Sequence, residues 1–352
     1  FLEEVKTKIF MTTIIIKSFN RPYYLDRCLH SIYLHVKGSF EVKVLDDGTP
    51  PLYLAKIATK YPKALILQSN QYKEKIKAIE ENITSAKPID GFTIPTDLWF
   101  NTVNSSSDFV LVTEDDVWFT KSIDLDELIN EMKSFSIPLL KLGWLGNYSD
   151  DKNYRIKQLS EHIYQTQPVD LFTSNKVVMD LFMYNKYKFF TILYKLGLVD
   201  NQTKRKYIGI NSILMGLYQK EYWLAIWQDA KGKVDEKQQL RNAAVWYHKN
   251  KKAVFARTNQ EVLKTTFQSS ATGSYHEYGN HFDVNRMNYI LNEAWLKDEF
   301  DAMENYPKDF SDYYIKSFLD QANHPDAQYE EWYKWAEKFR AQYRNLGAEV
   351  DH

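Results

Sequence analysis

Thr12-Thr13-Ile14-Ile15-Ile16 is a short, apolar, β-branched run that reads as a buried strand. It gives way to Ser18-Phe19-Asn20-Arg21-Pro22, where the proline stops the strand and suits the first turn of a helix. From Tyr23 to Leu34, the apolar positions Leu25, Leu29, Ile32 and Tyr33 fall at helical spacing. Phe40 to Leu45 alternates as a second strand and ends in the turn signal Asp46-Asp47-Gly48-Thr49-Pro50-Pro51. A helix through Leu54, Ile57 and Ala58 follows, then a third strand at Ala64-Leu65-Ile66-Leu67. Residues 73–86 are polar and helix-prone, 88–95 form a loop rich in Pro and Gly, and 96–104 read as a helix. Phe109-Val110-Leu111-Val112-Thr113 is a fourth buried strand, and Glu114-Asp115-Asp116 follows at once.

Beyond residue 120 the pattern is mixed. It predicts strands at Leu139 to Trp144, Val169 to Phe172, Tyr222 to Trp227 and Ala253 to Ala256. It predicts helices at 174–197, 207–220 and through the tail, 285–345. In that tail Trp332, Trp335, Ala336, Phe339 and Tyr343 lie at i, i+3, i+4 spacing. Such a stripe most often docks on its own domain. Peripheral membrane contact or a homodimer are its other uses. With no repeat and no linker, the chain divides into 11–120, 121–284 and a helical C-terminal extension at 285–352, packed as one body.

Strand and helix alternating through the first stretch imply parallel β-α-β units with right-handed crossovers. In open sheets of this kind, ligands gather at the carboxyl ends of the strands. The loops after residues 17, 45 and 113 carry Ser18-Phe19-Asn20-Arg21, Asp46-Asp47 and Glu114-Asp115-Asp116. Their convergence on one sheet edge is the main functional signal of the sequence.

Composition narrows the partners. The 352 residues carry a net charge of -1, which gives nucleic acid no electrostatic reason to bind. Cys28 is the single cysteine, so neither an internal disulfide nor a multi-thiolate zinc site can form. That fits a reducing compartment, and a cytoplasmic location is expected. No apolar stretch approaches the ~18–20 residues needed to cross a bilayer. Residues 1–10 mix acidic and basic side chains and do not read as a secretory signal. Aromatic residues make up 15%, a content that suits both core packing and the C–H faces of sugars.

The acidic triplet carries the chemistry. Mg²⁺ and Mn²⁺ prefer carboxylate and phosphate oxygens. Glu114 and Asp116, two residues apart on an extended segment, point to one side, while Asp115 points the other way, toward the backbone or a ribose. Such an ion could stabilise a departing diphosphate as a Lewis acid. Acidic triplets are usually surface turns. Here the triplet is pinned between an apolar strand and Val117-Trp118-Phe119, which is costly unless positive charge meets it.

The order Thr13 to Pro22, then Val44-Leu45-Asp46-Asp47-Gly48, then Val110 to Asp116, resembles the nucleotide-binding half of GT-A glycosyltransferases, family-two-like ones in particular. It covers about the first 120 residues. The resemblance implies an α/β fold: a Rossmann-like, mixed, mostly parallel sheet flanked by helices, with the helical C-terminal extension beyond it. It implies transfer of a sugar from a nucleotide-diphosphate sugar to a glycan, lipid-linked or protein-linked acceptor, with Mn²⁺ or Mg²⁺. Ser18, Asn20 and Arg21 would line the nucleotide base, and Asp46 or Asp47 would bind base or ribose. Glu114-x-Asp116 would stand for the family's DxD motif, with glutamate in place of the first aspartate and Asp116 as the direct metal ligand. A further ligand would come from His276 or His281, in the loop Ser274 to Asp283. A carboxylate base for the acceptor would be Asp229 or Glu236, with Asp170 and Asp235 as other choices. Lys141 to Asn147 reads either as a floor for the donor sugar or as a plain turn. Trp99 and Asn101 occupy a helix where such enzymes contact the donor.

Two other readings compete. A nucleotidyltransferase also uses carboxylates, Mg²⁺ and a mixed sheet, but it usually has a Gly-rich loop after the first strand. Ser18 to Pro22 contains no glycine. A non-catalytic nucleotide- or carbohydrate-binding protein would share the fold without turnover.

Overall fold

The computed structural model describes residues 11–351 apart from 88, 213–214 and 271–280. In chain order its strands are β1 (Thr12–Ser18), β2 (Val36–Lys37), β3 (Phe40–Asp46), β4 (Ala64–Gln68), β5 (Phe109–Glu114), β6 (Val117–Phe119) and β7 (Ile123–Asp124). Then come β8 (Leu139–Lys141), β9 (Tyr154–Gln158), β10 (Ile163–Pro168), β11 (Gly216–Gln219), β12 (Ala256–Thr258) and β13 (Leu263–Thr265). Nine of them form one sheet in the order β4-β3-β1-β5-β11-β8-β12-β10-β9. The first four are mutually parallel, and in the whole sheet only β11 and β10 run against the rest. Two small ribbons, β13 with β6 and β2 with β7, lie beside it. The fold is therefore the expected mixed, mostly parallel sheet with helices on both faces.

β1 is buried along its full length because both faces of the sheet are covered. Ile14, Ile16, Val42 and Val44 pack toward the helix Pro22–His35, in a core that includes Tyr23, Tyr24 and Trp118. Ile15, Leu45, Val110 and Val112 face the opposite core, with Trp99, Trp223 and Trp227. This period-2 division sets which strand-end residue meets which layer.

The C-terminal helices Val284–Leu296, Asp312–Ala322 and Tyr329–Asn345 close over the first core. Trp332, Trp335 and Ala336 are fully buried, and the Trp332 indole donates to the Gln268 carbonyl at 3.0 Å. Most of the tail's apolar stripe is thus used inside its own chain. Arg27 ties this extension to the first helix, lying 4.1 Å from the Phe310 ring centroid and donating to the Ala302 carbonyl at 3.0 Å. Among the described residues, no helix is long and apolar enough to cross a membrane.

Several elements differ from expectation. Tyr222 to Trp227 belongs to the helix Lys220–Trp227, and the strand precedes it as β11. The buried positions Tyr222, Trp223, Ile226 and Trp227 recur at helical spacing, which a short aromatic run disguises. The helix expected at 207–220 is a 3-10 turn, Lys206–Ile210, followed later by β11. Val169 to Phe172 is a loop after β10, with Asp170 at a φ of 52°. β9 and β10 escaped notice because β9 is an exposed edge strand without apolar alternation. The predicted helix at 174–197 is broken between Lys176–Met183 and Phe189–Lys195, where Asn185, Tyr187 and Lys188 take positive φ. The strand at Leu139 ends at Lys141, and β12 begins at Ala256, where the predicted strand at 253–256 ends.

Candidate functional site

β1 and β5 run side by side with Lys17 opposite Glu114, so their carboxyl ends deliver both chains to one place. The Asp115 N–H donates to the Lys17 carbonyl at 2.9 Å and carries the pairing one residue past the strand. Lys17 meets Glu114 at 2.7 Å and sits 4.7 Å from the Trp99 ring centroid. Arg21, just before the first helix, spans two carboxylates: 2.5 Å to Asp115 and 2.8 Å to Asp116. Asp115 turns inward, 1% exposed, and also accepts the Phe19 N–H at 3.0 Å. Glu114 and Asp116 retain 28% and 14% exposure on the other side.

With every group ionised, these five would carry three negative and two positive charges. Burial pushes the Asp115 carboxyl above the usual range, and Arg21 opposes that shift. Burial works against the Arg21 charge in turn, but Asp115 and Asp116 outweigh it and hold the guanidinium charged. The apolar cost of three adjacent carboxylates is thus met by cations from the strand and loop next to them.

Asp46 and Asp47 part company. Asp46 is fully buried and accepts the Gly48 and Thr49 N–H groups at 3.1 and 2.8 Å and the Thr49 hydroxyl at 2.6 Å. It builds the turn after β3, which leaves Asp47, of the two, as the residue that faces a cleft. Asp47 pairs with Lys75 at 2.5 Å, and Lys75 also donates to the Thr93 carbonyl at 2.8 Å. Asp47 lines a cleft of about 310 Å³ with Asn70, Thr93, Asp97 and Lys231. Its Oδ1 is buried without a hydrogen-bond partner.

The Asp46 turn makes stability depend on pH. Burial pushes its carboxyl up to about 6, with the bonds from Thr49 and Gly48 opposing. In the unfolded chain an aspartate titrates near ~3.9. Between those values the folded chain holds a proton that the unfolded chain has lost. The stabilisation is therefore fullest below about pH 4 and is lost as pH rises through about 6. Asparagine cannot ionise. We expect the stability advantage of the wild type over Asp46→Asn to be about 2 kcal/mol larger at pH 4.5 than at pH 7.5. Urea unfolding of both proteins at each pH checks this, and an advantage that does not change with pH contradicts it.

Glu114 and Asp116 line a second cavity, of about 190 Å³, with Arg21, Thr265, Phe339 and Tyr343. The Thr265 hydroxyl donates to the Asp116 carbonyl at 3.1 Å and fixes the backbone there. Leu145 borders the same cavity. Its loop, Gly143 to Asn147, is held by Glu261, which accepts the Trp144 N–H and, at 2.7 Å, the Gly146 N–H. Asp116 Oδ1 is buried and has no hydrogen-bond partner. Unpartnered buried carboxylate oxygens are rare and call for a cation or water. A donor set of two partly exposed carboxylates, one with a buried free oxygen, fits Mg²⁺ or Mn²⁺.

The other sequence candidates are less central. Ser18 is buried at the end of β1. Asn20, at a φ of 51°, donates its N–H to the Thr49 hydroxyl at 2.9 Å and accepts from Asn292 at 3.2 Å, so it shapes the loop that aims Arg21. His276 lies outside the described residues. His281 is exposed, its backbone N–H bonded to Glu331 at 3.2 Å, and it does not line the cavity of Glu114 and Asp116. Asp229 pairs with Arg241, which also holds Asp180 at 2.9 Å. Glu236 is exposed in the first turn of the helix Glu236–Lys249. Neither lines that cavity, which counts against both as the acceptor base. Trp99 does join the site, beneath Lys17, while Asn101 is exposed on the same helix.

Sequence reasoning missed Lys17 and Lys75, and read Phe339 and Tyr343 only as part of the tail's apolar stripe, not as cavity residues. Lys17 left one trace, a lysine ending an isoleucine run whose strand is buried throughout.

No family model matches the chain, and a search of curated proteins finds no match. Among solved structures, the chain is similar to the crystal structure of S. aureus TarS 1-349, at 11% identity and a TM-score of 0.41, covering 95% of this chain and 91% of that one. The same TarS fragment in complex with UDP gives 13% identity and a TM-score of 0.37, over 88% and 71%. Galactosyltransferase LgtC, in complex with donor and acceptor sugar analogs, gives 14% identity and a TM-score of 0.31, over 66% and 70%. At such identities and scores the likeness carries no functional argument, and the functional reading rests on this chain's own residues.

Proposed function

We propose that the chain is a glycosyltransferase that transfers a sugar from a nucleotide-diphosphate sugar to a glycan or glycoconjugate acceptor, with Mg²⁺ or Mn²⁺ at Asp116 and Glu114. One observation carries this reading. At the carboxyl ends of adjacent parallel strands, Asp116 keeps a buried, unpartnered oxygen and shares a cavity with Glu114.

The residues divide the work. Asp47 and the 310 Å³ cleft, lined by hydroxyls, carboxylates and Lys231, suit the polar nucleoside. Lys17 and Arg21 fix the carboxylates so that the metal-binding oxygens need no reorganisation. When bound, the metal supplies Lewis-acid stabilisation of the diphosphate leaving group. Phe339, Tyr343 and Phe267 line one side of the cavity and offer ring surface to a sugar. The loop from Ser18 to Pro22, without glycine, speaks against a nucleotidyltransferase.

A thermal-shift screen of UDP-, GDP-, dTDP- and CMP-sugars with Mn²⁺ tests the reading. A donor present at about 100 times its Kd adds about 2.7 kcal/mol to the folded state and raises Tm by a few degrees. The proposal predicts such a rise with at least one diphosphate donor and its loss with a chelator. No shift with any donor counts against it.

A further inference from the structure

The amino edge of the sheet carries a second concavity, remote from the acidic triplet at the carboxyl edge. It has a volume of about 990 Å³ and is walled by the start of β5, the end of the helix Glu236–Lys249 with the turn that follows it, the end of the antiparallel β11 and the turn before β8. Five lysines line it: Lys133, Lys220, Lys249, Lys251 and Lys252. Only two carboxylates, Asp108 and Glu221, face them. The groove is therefore three charges positive in a chain whose net charge is -1.

Lys220 is anchored to the Ser106 carbonyl at 2.9 Å. The other four ammonium groups have no carboxylate partner among the described residues. Concentrating uncompensated like charge in a concavity raises its potential and costs self-repulsion, which a bound anion relieves.

The wall also offers rings. Trp246 is half-buried and lines the groove, braced edge-on by Tyr222 at a centroid distance of 4.5 Å. Phe109 lines it too, with Lys133 5.6 Å above its ring. Ring faces flanked by ammonium groups match a polymer that alternates sugar C–H faces with anionic groups. The cations are lysines, with no arginine among them. Arginine is the side chain that grips phosphates bidentately in nucleic-acid recognition, so its absence favours a glycan over a nucleic acid.

We propose that this groove is a binding site for an acidic polysaccharide, which it holds by lysine–anion contacts and by packing a sugar ring on Trp246. The ligand is held rather than turned over, since no carboxylate cluster or metal-type donor set lines the groove. The inference stands on the groove's geometry and does not depend on the transferase reading.

Fluorescently labelled oligogalacturonate, followed by anisotropy on the full chain, tests it. The expected result is saturable binding that weakens as salt rises from about 50 to 200 mM, because exposed charge contacts are screened. A labelled neutral dextran of equal length should not bind. The variant K249Q/K251Q/K252Q alters only exposed side chains, so its fold should survive. It should bind oligogalacturonate about tenfold more weakly, on the order expected from removing three solvated lysine charges. Its Tm should stay that of the wild type. Absence of binding at low salt, equal binding by the triple variant, or tighter binding of a single-stranded oligonucleotide each overturns the proposal.

Discussion

Asp116→Ala should lower donor turnover about a thousandfold while leaving the protein folded. Lewis-acid stabilisation of a leaving diphosphate is worth several kcal/mol, and each ~1.4 kcal/mol is a factor of ten in rate. Asp116 is the residue whose removal takes away the buried free oxygen of the cluster. Its structural share is limited. Arg21 keeps its 2.5 Å ion pair with Asp115 when Asp116 is gone, and the ion pair that Asp116 itself makes involves a carboxylate still 14% exposed. We expect a stability loss of about 1.5–3 kcal/mol, too little to unfold the chain. Release of nucleoside diphosphate at saturating Mn²⁺, alongside a thermal melt, measures both quantities. A variant with wild-type turnover would remove Asp116 from the mechanism. One that is inactive because it has unfolded would show that the residue is structural.

Arg21→Ala should do the opposite, costing stability first. It strands Asp115, which is 1% exposed and whose remaining partner is the Phe19 N–H. Removing one partner of a buried ion pair typically costs about 3–5 kcal/mol. In a chain of this size that lowers Tm by roughly 4–7 °C. The destabilisation should also depend on pH. Without the guanidinium, burial and the neighbouring Asp116 and Glu114 act on Asp115 against the Phe19 N–H alone, and its folded pKa moves further up. The wild-type carboxyl already sits at about 7, so the variant should recover stability relative to wild type as pH falls from about 9 toward 7, and the difference should stay constant below about 6. Combining Arg21→Ala with Asp115→Asn should restore part of the stability at neutral pH, because the stranded charge is gone. A single variant with an unchanged Tm would mean that Asp115 does not depend on Arg21 for its charge.

The parts of the fold legible in the sequence are those whose local pattern matches their burial. β1 and β5 are apolar runs because both faces of the sheet are covered there, β3 alternates with Glu41 and Lys43 half-buried, and turn residues bound all three. β9 is an exposed edge strand, so no hydrophobic alternation announces it. The helix Lys220–Trp227 is aromatic enough to pass for a strand until its spacing is counted. At the site, alternation along β5 correctly sends Asp115 inward, away from Glu114 and Asp116. What alternation cannot supply is the partner. Lys17 meets Glu114 across 97 residues, and Lys75 meets Asp47 across 28. Nor could the pair Asp46-Asp47 be divided from sequence alone. The difference between a turn-maker and a cleft residue lies in which one reaches Thr49. Phe339 and Tyr343 come to the cavity only because the C-terminal helix docks across the first core.

The central claim is that Glu114 and Asp116 hold a divalent cation for a nucleotide-sugar donor. Calorimetric titration of the wild-type chain with UDP, GDP and dTDP, in Mn²⁺ and again in chelator, tests it most directly. The account predicts that at least one nucleoside diphosphate binds in Mn²⁺, with affinity falling at least about tenfold in chelator and in Asp116→Ala. Binding that is indifferent to both chelator and Asp116→Ala, or no binding by any of the three, would contradict it.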